Sequence, residues 1–70
     1  MTTPSWQSVA RAQHLIASRN WQWAADRWIN DAQLSKAKGN EAHVVFCLEQ
    51  AAERLGWAAE EQAKADKLKG

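Results

Sequence analysis

The residues that can bind metals are few and scattered. His43 and Cys47 lie four positions apart, so on a helix their side chains would point the same way, as two ligands of one metal ion do. A structural zinc site needs about four ligands of this kind, and His14 is the only other His or Cys in the chain. A lone cysteine usually behaves as a small buried hydrophobe. We therefore expect neither a metal nor a cofactor.

Cys47 is also the only thiol nucleophile. A catalytic thiolate needs a neighbour that lowers its pKa and a group that orients the base, and no motif around Cys47 supplies them. The carboxylates Glu49, Glu53, Glu60 and Glu61 have the spacing of a solvated helix face, and the chain has no glycine-rich phosphate loop. We expect no enzymatic activity and no catalytic residues.

Tryptophan is the unusual residue type, because 70 residues contain five Trp beside one Phe and no Tyr. Trp21 and Trp28 fall on an apolar helical stripe and are predicted to lie in the core. Trp23 and Trp57 fit the stripe less well, and Trp6 fits either the core or a lid over the hairpin. Trp and Arg are enriched at the energetic centres of protein interfaces. The residues predicted to bind a partner are Trp6, Trp23, Arg27 and Trp57.

Three arginines, Arg11, Arg19 and Arg27, recur at eight-residue steps. They are candidates for a basic edge that reaches phosphate in nucleic acid. The alternative is that they are solvated arginines whose stems cover apolar surface. Nine Lys and Arg against eight Asp and Glu give a net charge of +1, which argues against the broad basic face of a typical DNA-binding domain.

Length and composition limit the fold and the compartment. Seventy residues form one domain at most, and a single unpaired cysteine is typical of a reducing cytoplasm. No apolar run approaches the roughly 20 residues of a membrane span, and residues 1–4 do not resemble the start of a signal peptide. We therefore expect a cytoplasmic protein without membrane contact.

Helix-forming residues dominate and strand signals are missing. The spacing predicts a first helix that begins at Pro4, capped by Thr3, and ends at a break over 18–20. A second helix over 21–37 would follow, with Asn20 as its N-cap. Its predicted end is marked by two lysines and a glycine: Lys36, Lys38 and Gly39.

A longer third helix would start after its N-cap Asn40 and carry an apolar stripe over 44–59, interrupted at Gly56. The predicted fold is all-α: an antiparallel helical hairpin plus this third helix, as a three-helix domain over 1–59. Residues 60–70 would form a polar helical or frayed arm. The stripe exceeds what a short hairpin can cover, which predicts a dimer. The residues predicted to hold the core are Trp21, Ala24, Ala25, Trp28, Leu48 and Leu55.

Residues 20–29, Asn-Trp-Gln-Trp-Ala-Ala-Asp-Arg-Trp-Ile, resemble a stretch of the PerC-like and AraC-negative-regulator (ANR) proteins of enterobacteria and prophages. Phe46-Cys47-Leu48 resembles their later aromatic-Cys pair, and the resemblance spans roughly residues 9–52. It implies a small transcriptional regulator that binds AraC-type activators or nucleoid proteins and self-associates. The basic residues usual before that pair are absent at 42–45, which argues against DNA contact there. Residues 21–32 also resemble half of a tetratricopeptide helix pair, which implies a helical hairpin only.

Three functions follow as alternatives. The first is a non-enzymatic regulatory protein of a bacterium, phage or mobile element, which binds a transcriptional regulator or nucleoid protein and modulates gene expression. The second is a dimeric DNA-binding regulator that uses the arginine edge. The third is a phage-type inhibitor of a host protein, which needs only an adhesive helical surface.

Overall fold

Two long antiparallel helices make up the part of the protein that the structure describes. The computed structural model describes residues 5–68, in which α1 spans Trp6–Ala37 and α2 spans Glu41–Asp66. These residues contain no strand. The predicted all-α class and the helical hairpin are confirmed, whereas the predicted three-helix domain is wrong.

The first two predicted helices are one helix, because α1 runs unbroken through residues 18–20. Ser18 is buried and accepts a hydrogen bond from Gln22 Nε2 at 3.2 Å, while Arg19 and Asn20 point to solvent. A polar Ser-Arg-Asn stretch favours a break locally. Packing against a second long helix outweighs that preference, since most helical stability in proteins comes from tertiary contact.

Both ends of α1 have recognisable signals. Ser5 caps the first turn, since its side chain accepts a hydrogen bond from the backbone N–H of Ser8. The predicted start at Pro4, capped by Thr3, lies outside the described residues. The predicted end at Ala37 is confirmed.

The turn between the helices is a Schellman motif. Gly39 has a φ of 77°, its N–H donates to the Lys36 carbonyl at 3.0 Å, and the N–H of Asn40 donates to the Ser35 carbonyl at 2.9 Å. The positive φ is the reason glycine stands there. The predicted N-cap of the next helix is also confirmed, because the Asn40 side chain accepts from the N–H of His43.

α2 passes through Gly56 without interruption and continues over 60–66, where Ala65 is buried. No helix within residues 5–68 has the length and apolar character required to cross a membrane.

Small residues line the seam between the helices at seven-residue steps. Ser18, Ala25 and Ala32 are buried on α1, and a second series is buried on α2. Larger, partly exposed residues alternate with these small ones. The seam is therefore an antiparallel coiled coil with a seven-residue repeat. Small side chains allow two helices to pack closely. The buried series on α2 is Ala51, Ala58 and Ala65.

The predicted core is correct in part. Ala25 is buried, and Ala24, Trp21 and Trp28 are half-buried. Leu48 and Leu55, however, are 48% and 45% exposed. α2 carries two apolar stripes at heptad spacing. The stripe of smaller residues, with Ala51 and Ala58, faces α1, and the stripe with Leu48 and Leu55 does not.

Candidate protein-binding surface

Trp23 and Arg27 form an exposed pair on the outer side of α1. Trp23 is 61% exposed, and Arg27 Cζ lies 5.1 Å from the centre of its ring. The two residues are one helical turn apart, so the guanidinium lies over the aromatic face in a cation–π contact. Both residues lie on α1, and the opposite side of α1 packs against α2. The pair is therefore held in position before any partner binds.

The other two tryptophans predicted to bind a partner lie elsewhere. Trp6 is 83% exposed at the start of α1, about 26 Å along the helix axis from Trp23. Trp57 is half-buried on α2, with its ring centre 4.6 Å from that of Trp21. The structure therefore brings together Trp23 and Arg27 and separates Trp6 and Trp57 from them.

The arginine edge predicted from the eight-residue spacing does not lie along one side of the helix. Arg11, Arg19 and Arg27 are all exposed on the continuous α1. Eight residues turn a helix by about 80° beyond two full turns. The three side chains consequently leave α1 in different directions, and only Arg27 accompanies an exposed tryptophan.

An aromatic face covers one side of the seam; it consists of Trp21, Trp28, Phe46, Arg54 and Trp57. Arg54 Cζ lies 5.7 Å from the Trp28 ring centre and 5.2 Å from that of Trp57. Phe46 meets Trp28 edge to face, with ring centres 5.7 Å apart. Arg54 Nη1 also donates to Gln50 Oε1 at 2.6 Å. The three tryptophans and Arg54 are half-buried in this face, whereas Phe46 stays 46% exposed.

Sequence reasoning missed Arg54 in this group. Its signal was present, because Arg54 lies three residues before Trp57 and therefore one helical turn away. Its contact with Trp28 depends on the pairing of the two helices, which the spacing of residues in α2 alone does not indicate.

An aliphatic face covers the other side of the seam; it consists of Ile29, Val44, Val45, Leu48 and Leu55. Four of these, all except Leu55, line an open groove of about 510 Å³, and Lys36 and Glu41 lie at its turn end. Leu55 and Trp57 are two positions apart on α2, which places them about 200° apart around the helix. The aliphatic and aromatic faces are therefore opposite sides of the hairpin.

Cys47 and His43 do not form a joint site. Cys47 is buried in the seam, whereas His43 is exposed and stacks on Phe46 with ring centres 6.0 Å apart. Burial raises the pKa of the Cys47 thiol, and the nearby Asp31 carboxylate raises it further. A buried thiol with a raised pKa is a weak nucleophile. Across residues 5–68, no three side chains of His, Cys, Asp or Glu cluster as a metal site would require.

One polar pair crosses the seam near the open end of the hairpin. His14 Nδ1 and Glu61 Oε2 are 2.6 Å apart, and Lys64 Nζ lies 3.4 Å from the other Glu61 oxygen. The hydrogen bond with His14 lowers the pKa of Glu61, and Lys64 lowers it further against the opposing effect of burial. Both partners are partly exposed, which is typical of a structural contact at the edge of a coiled coil.

Comparison with protein-family models, with characterised proteins and with solved structures finds no match to this chain. The resemblance to the PerC-like and ANR regulators therefore stays a prediction that depends on residues 9–52.

Proposed function

We propose that this chain is a small, non-enzymatic regulatory protein of the bacterial cytoplasm that binds another protein as a homodimer and thereby modulates transcription. The observation that carries the proposal is the Trp23–Arg27 pair, which is exposed and preorganised on a rigid helix. Trp and Arg are the residue types most enriched at interface hot spots.

Preorganisation is what distinguishes this pair from an incidental surface tryptophan. Binding normally costs the ordering of flexible side chains. Arg27 already lies over the Trp23 ring, so part of that ordering is complete before a partner arrives. A partner with an apolar pocket for the indole and a carboxylate for the guanidinium fits this pair.

The buried Cys47 supports a non-enzymatic role. Its thiol is inaccessible and its pKa is raised, so the one residue that could act as a strong nucleophile is placed as a packing residue. The transcriptional output is proposed from the resemblance of residues 9–52 to small regulators, and the proposed partner is accordingly a transcriptional regulator or a nucleoid protein.

The test is capture of partners from a bacterial lysate with the tagged protein, with and without nuclease. We expect one nuclease-resistant protein, identified as a regulator or nucleoid protein, whose capture falls by roughly tenfold or more with Trp23→Ala or Arg27→Ala. Glu49→Ala, which changes an exposed residue on the outer side of α2, is the matched control and should leave capture unchanged.

The other outcomes contradict the proposal in distinct ways. Capture that is insensitive to Trp23→Ala would exclude this pair as the binding surface. Capture of many nucleoid proteins that disappears with nuclease would indicate DNA as the ligand, with the steep salt dependence of phosphate contacts. Capture of a host enzyme that loses its activity would indicate an inhibitor.

A further inference from the structure

α2 carries a second apolar line on the side turned away from the aromatic face. Its members follow alternating three- and four-residue steps and are exposed. No charged residue interrupts the line, and Glu49, Glu53 and Glu60 lie on other sides of the helix. This second line consists of Val45, Leu48, Ala52, Leu55 and Ala59.

The hairpin exposes more surface than a compact protein of its mass. Its accessible surface is 5475 Å² for 7.9 kDa, whereas a compact monomer of this mass exposes about 4,400 Å². The excess of about 1,000 Å² is comparable to the roughly 800 Å² that each partner buries in a standard interface. The radius of gyration is 16.4 Å, whereas that of a compact 70-residue domain is about 11 Å.

The shape explains the excess. The Cα atoms span 57 × 21 × 9 Å, so the protein is a single layer of two helices, whereas most domains bury their apolar surface between two layers. The aromatic face covers part of its own surface through its ring and guanidinium contacts. The aliphatic face has no such cover within residues 5–68.

We propose that a second copy of this chain covers the aliphatic face, with α2 packed on α2 along the second apolar line to form a four-helix bundle. A two-fold interface requires a surface that is complementary to itself. The line itself meets this requirement over 45–59, because it carries no charge, and the acidic residues Glu41 and Asp66 lie beyond its two ends. Leu48, Ala52, Leu55 and Ala59 also alternate in size, so that in an antiparallel pair each leucine can lie against an alanine of the other copy.

The dimer extends the function proposed above. Trp23 and Arg27 lie on the outer side of α1 and remain exposed when the aliphatic face is covered, so each dimer presents two copies of the pair. This inference rests on the proposed homodimer and not on the identity of the partner. Two linked pairs would bind a dimeric regulator more tightly than one pair through effective concentration.

The experiment is sedimentation equilibrium of the purified full chain at micromolar concentration. We expect twice the 7.9 kDa monomer mass. Leu48→Glu places a charge in the proposed interface and should lower the association constant by about 100-fold or more, with the helical circular dichroism retained. Leu34→Glu is the matched control, because Leu34 is similarly exposed but lies outside the second apolar line, and it should remain dimeric.

A cross-link provides a second test that does not depend on destabilisation. With Cys47→Ser as background, Ala52→Cys lies near the proposed two-fold axis and should form a disulfide between copies under mild oxidation. Glu53→Cys, which is exposed next to Ala52 in the chain but projects about 100° away around α2, should form it far more slowly.

A monomeric wild type would overturn both this interface and the proposed homodimer, but not protein binding itself. A dimer that Leu48→Glu leaves intact and Ala52→Cys does not cross-link would overturn the interface only.

Discussion

The two broad sides of the hairpin differ in how their large side chains are covered. On the aromatic face, Trp21 and Trp57 contact each other and Arg54 bridges two rings. On the aliphatic face, Leu48 and Leu55 have no comparable cover within the described residues. Aromatic rings and a guanidinium can reach across a two-helix seam, whereas a leucine of α2 is too short to do so. Within residues 5–68, one layer of helices therefore covers most of the three tryptophans of its aromatic face and leaves Leu48 and Leu55 exposed.

Both faces depend on α1 being a single helix, and Asn20→Pro tests this. Proline removes a backbone hydrogen bond and clashes with the preceding turn, so we expect the free energy of unfolding to fall by about 3 kcal/mol or more. Trp6→Pro is the matched control. Trp6 is the first residue of α1, and Ser5 before it is extended at φ −66°, ψ 152°, which suits a following proline. Equal stability of the two variants in urea unfolding would contradict a continuous α1.

Trp57→Ala and Leu55→Ala compare the two faces directly. Trp57→Ala removes the edge contact with Trp21 and the cation–π contact with Arg54, and we expect a loss of about 2 kcal/mol of unfolding free energy. Leu55→Ala should lower the unfolding free energy of the dissociated monomer by less than about 1 kcal/mol. The loss should grow as the protein concentration rises, because Leu55 lies in the proposed dimer interface. Urea unfolding at several concentrations separates the two effects. A concentration-independent cost at Leu55 would indicate that the aliphatic face is uncovered in solution.

Gly56 separates Leu55 from Trp57, and Gly56→Ala should stabilise α2. A Cβ at this position meets nothing within 4 Å, and alanine is favoured over glycine inside a helix by about 1 kcal/mol. The same substitution at Gly39 also has open space but a φ of +77°, so Gly39→Ala should lower the melting temperature while Gly56→Ala raises it. Identical shifts would contradict the assigned turn.

The polar pair beyond the aromatic face predicts the smallest effect, a pH dependence. The pKa of Glu61 is lowered in the folded protein from its usual 4.5. The stability that Glu61 contributes is therefore complete above about pH 4.5 and is lost as the pH falls through the lower, folded-state pKa. Glu61→Gln and His14→Ala should both reduce this acid-side loss in thermal unfolding. If the melting temperatures of these variants fall with pH as steeply as that of the wild type, the His14–Glu61 pair is not the source of the acid-side loss of stability.

The sequence predicted those features that have local causes. Gly39 and Asn40 mark the turn through a positive φ and a side-chain cap, and both signals depend only on neighbouring residues. The predicted break over 18–20, with Asn20 as N-cap, was wrong because Ser18 is buried against α2, which lies about 40 residues later in the chain. The exposure of Leu48 was missed for a related reason: α2 has two apolar stripes, and only the match of Ala51 and Ala58 to the small residues of α1 decides which stripe faces inward.

The candidate surface was likewise predictable in part. Trp23 and Arg27 were both predicted to bind a partner, and their spacing of one helical turn is a local signal for their contact. Trp57 was predicted to bind a partner, but its contact with Trp21 depends on the antiparallel alignment of residues 36 positions apart.

The tight turn at Gly39 also has a kinetic consequence. Contacts across the seam join residues 18 positions apart at Trp28 and Phe46, and 47 apart at His14 and Glu61, so the chain can zip from the turn outward. Closing each successive contact adds little loop entropy once the previous one has formed, which favours fast folding. The same geometry makes opening directional: backbone amides beside the turn should exchange with solvent most slowly, and protection should decline toward the end that holds both chain termini.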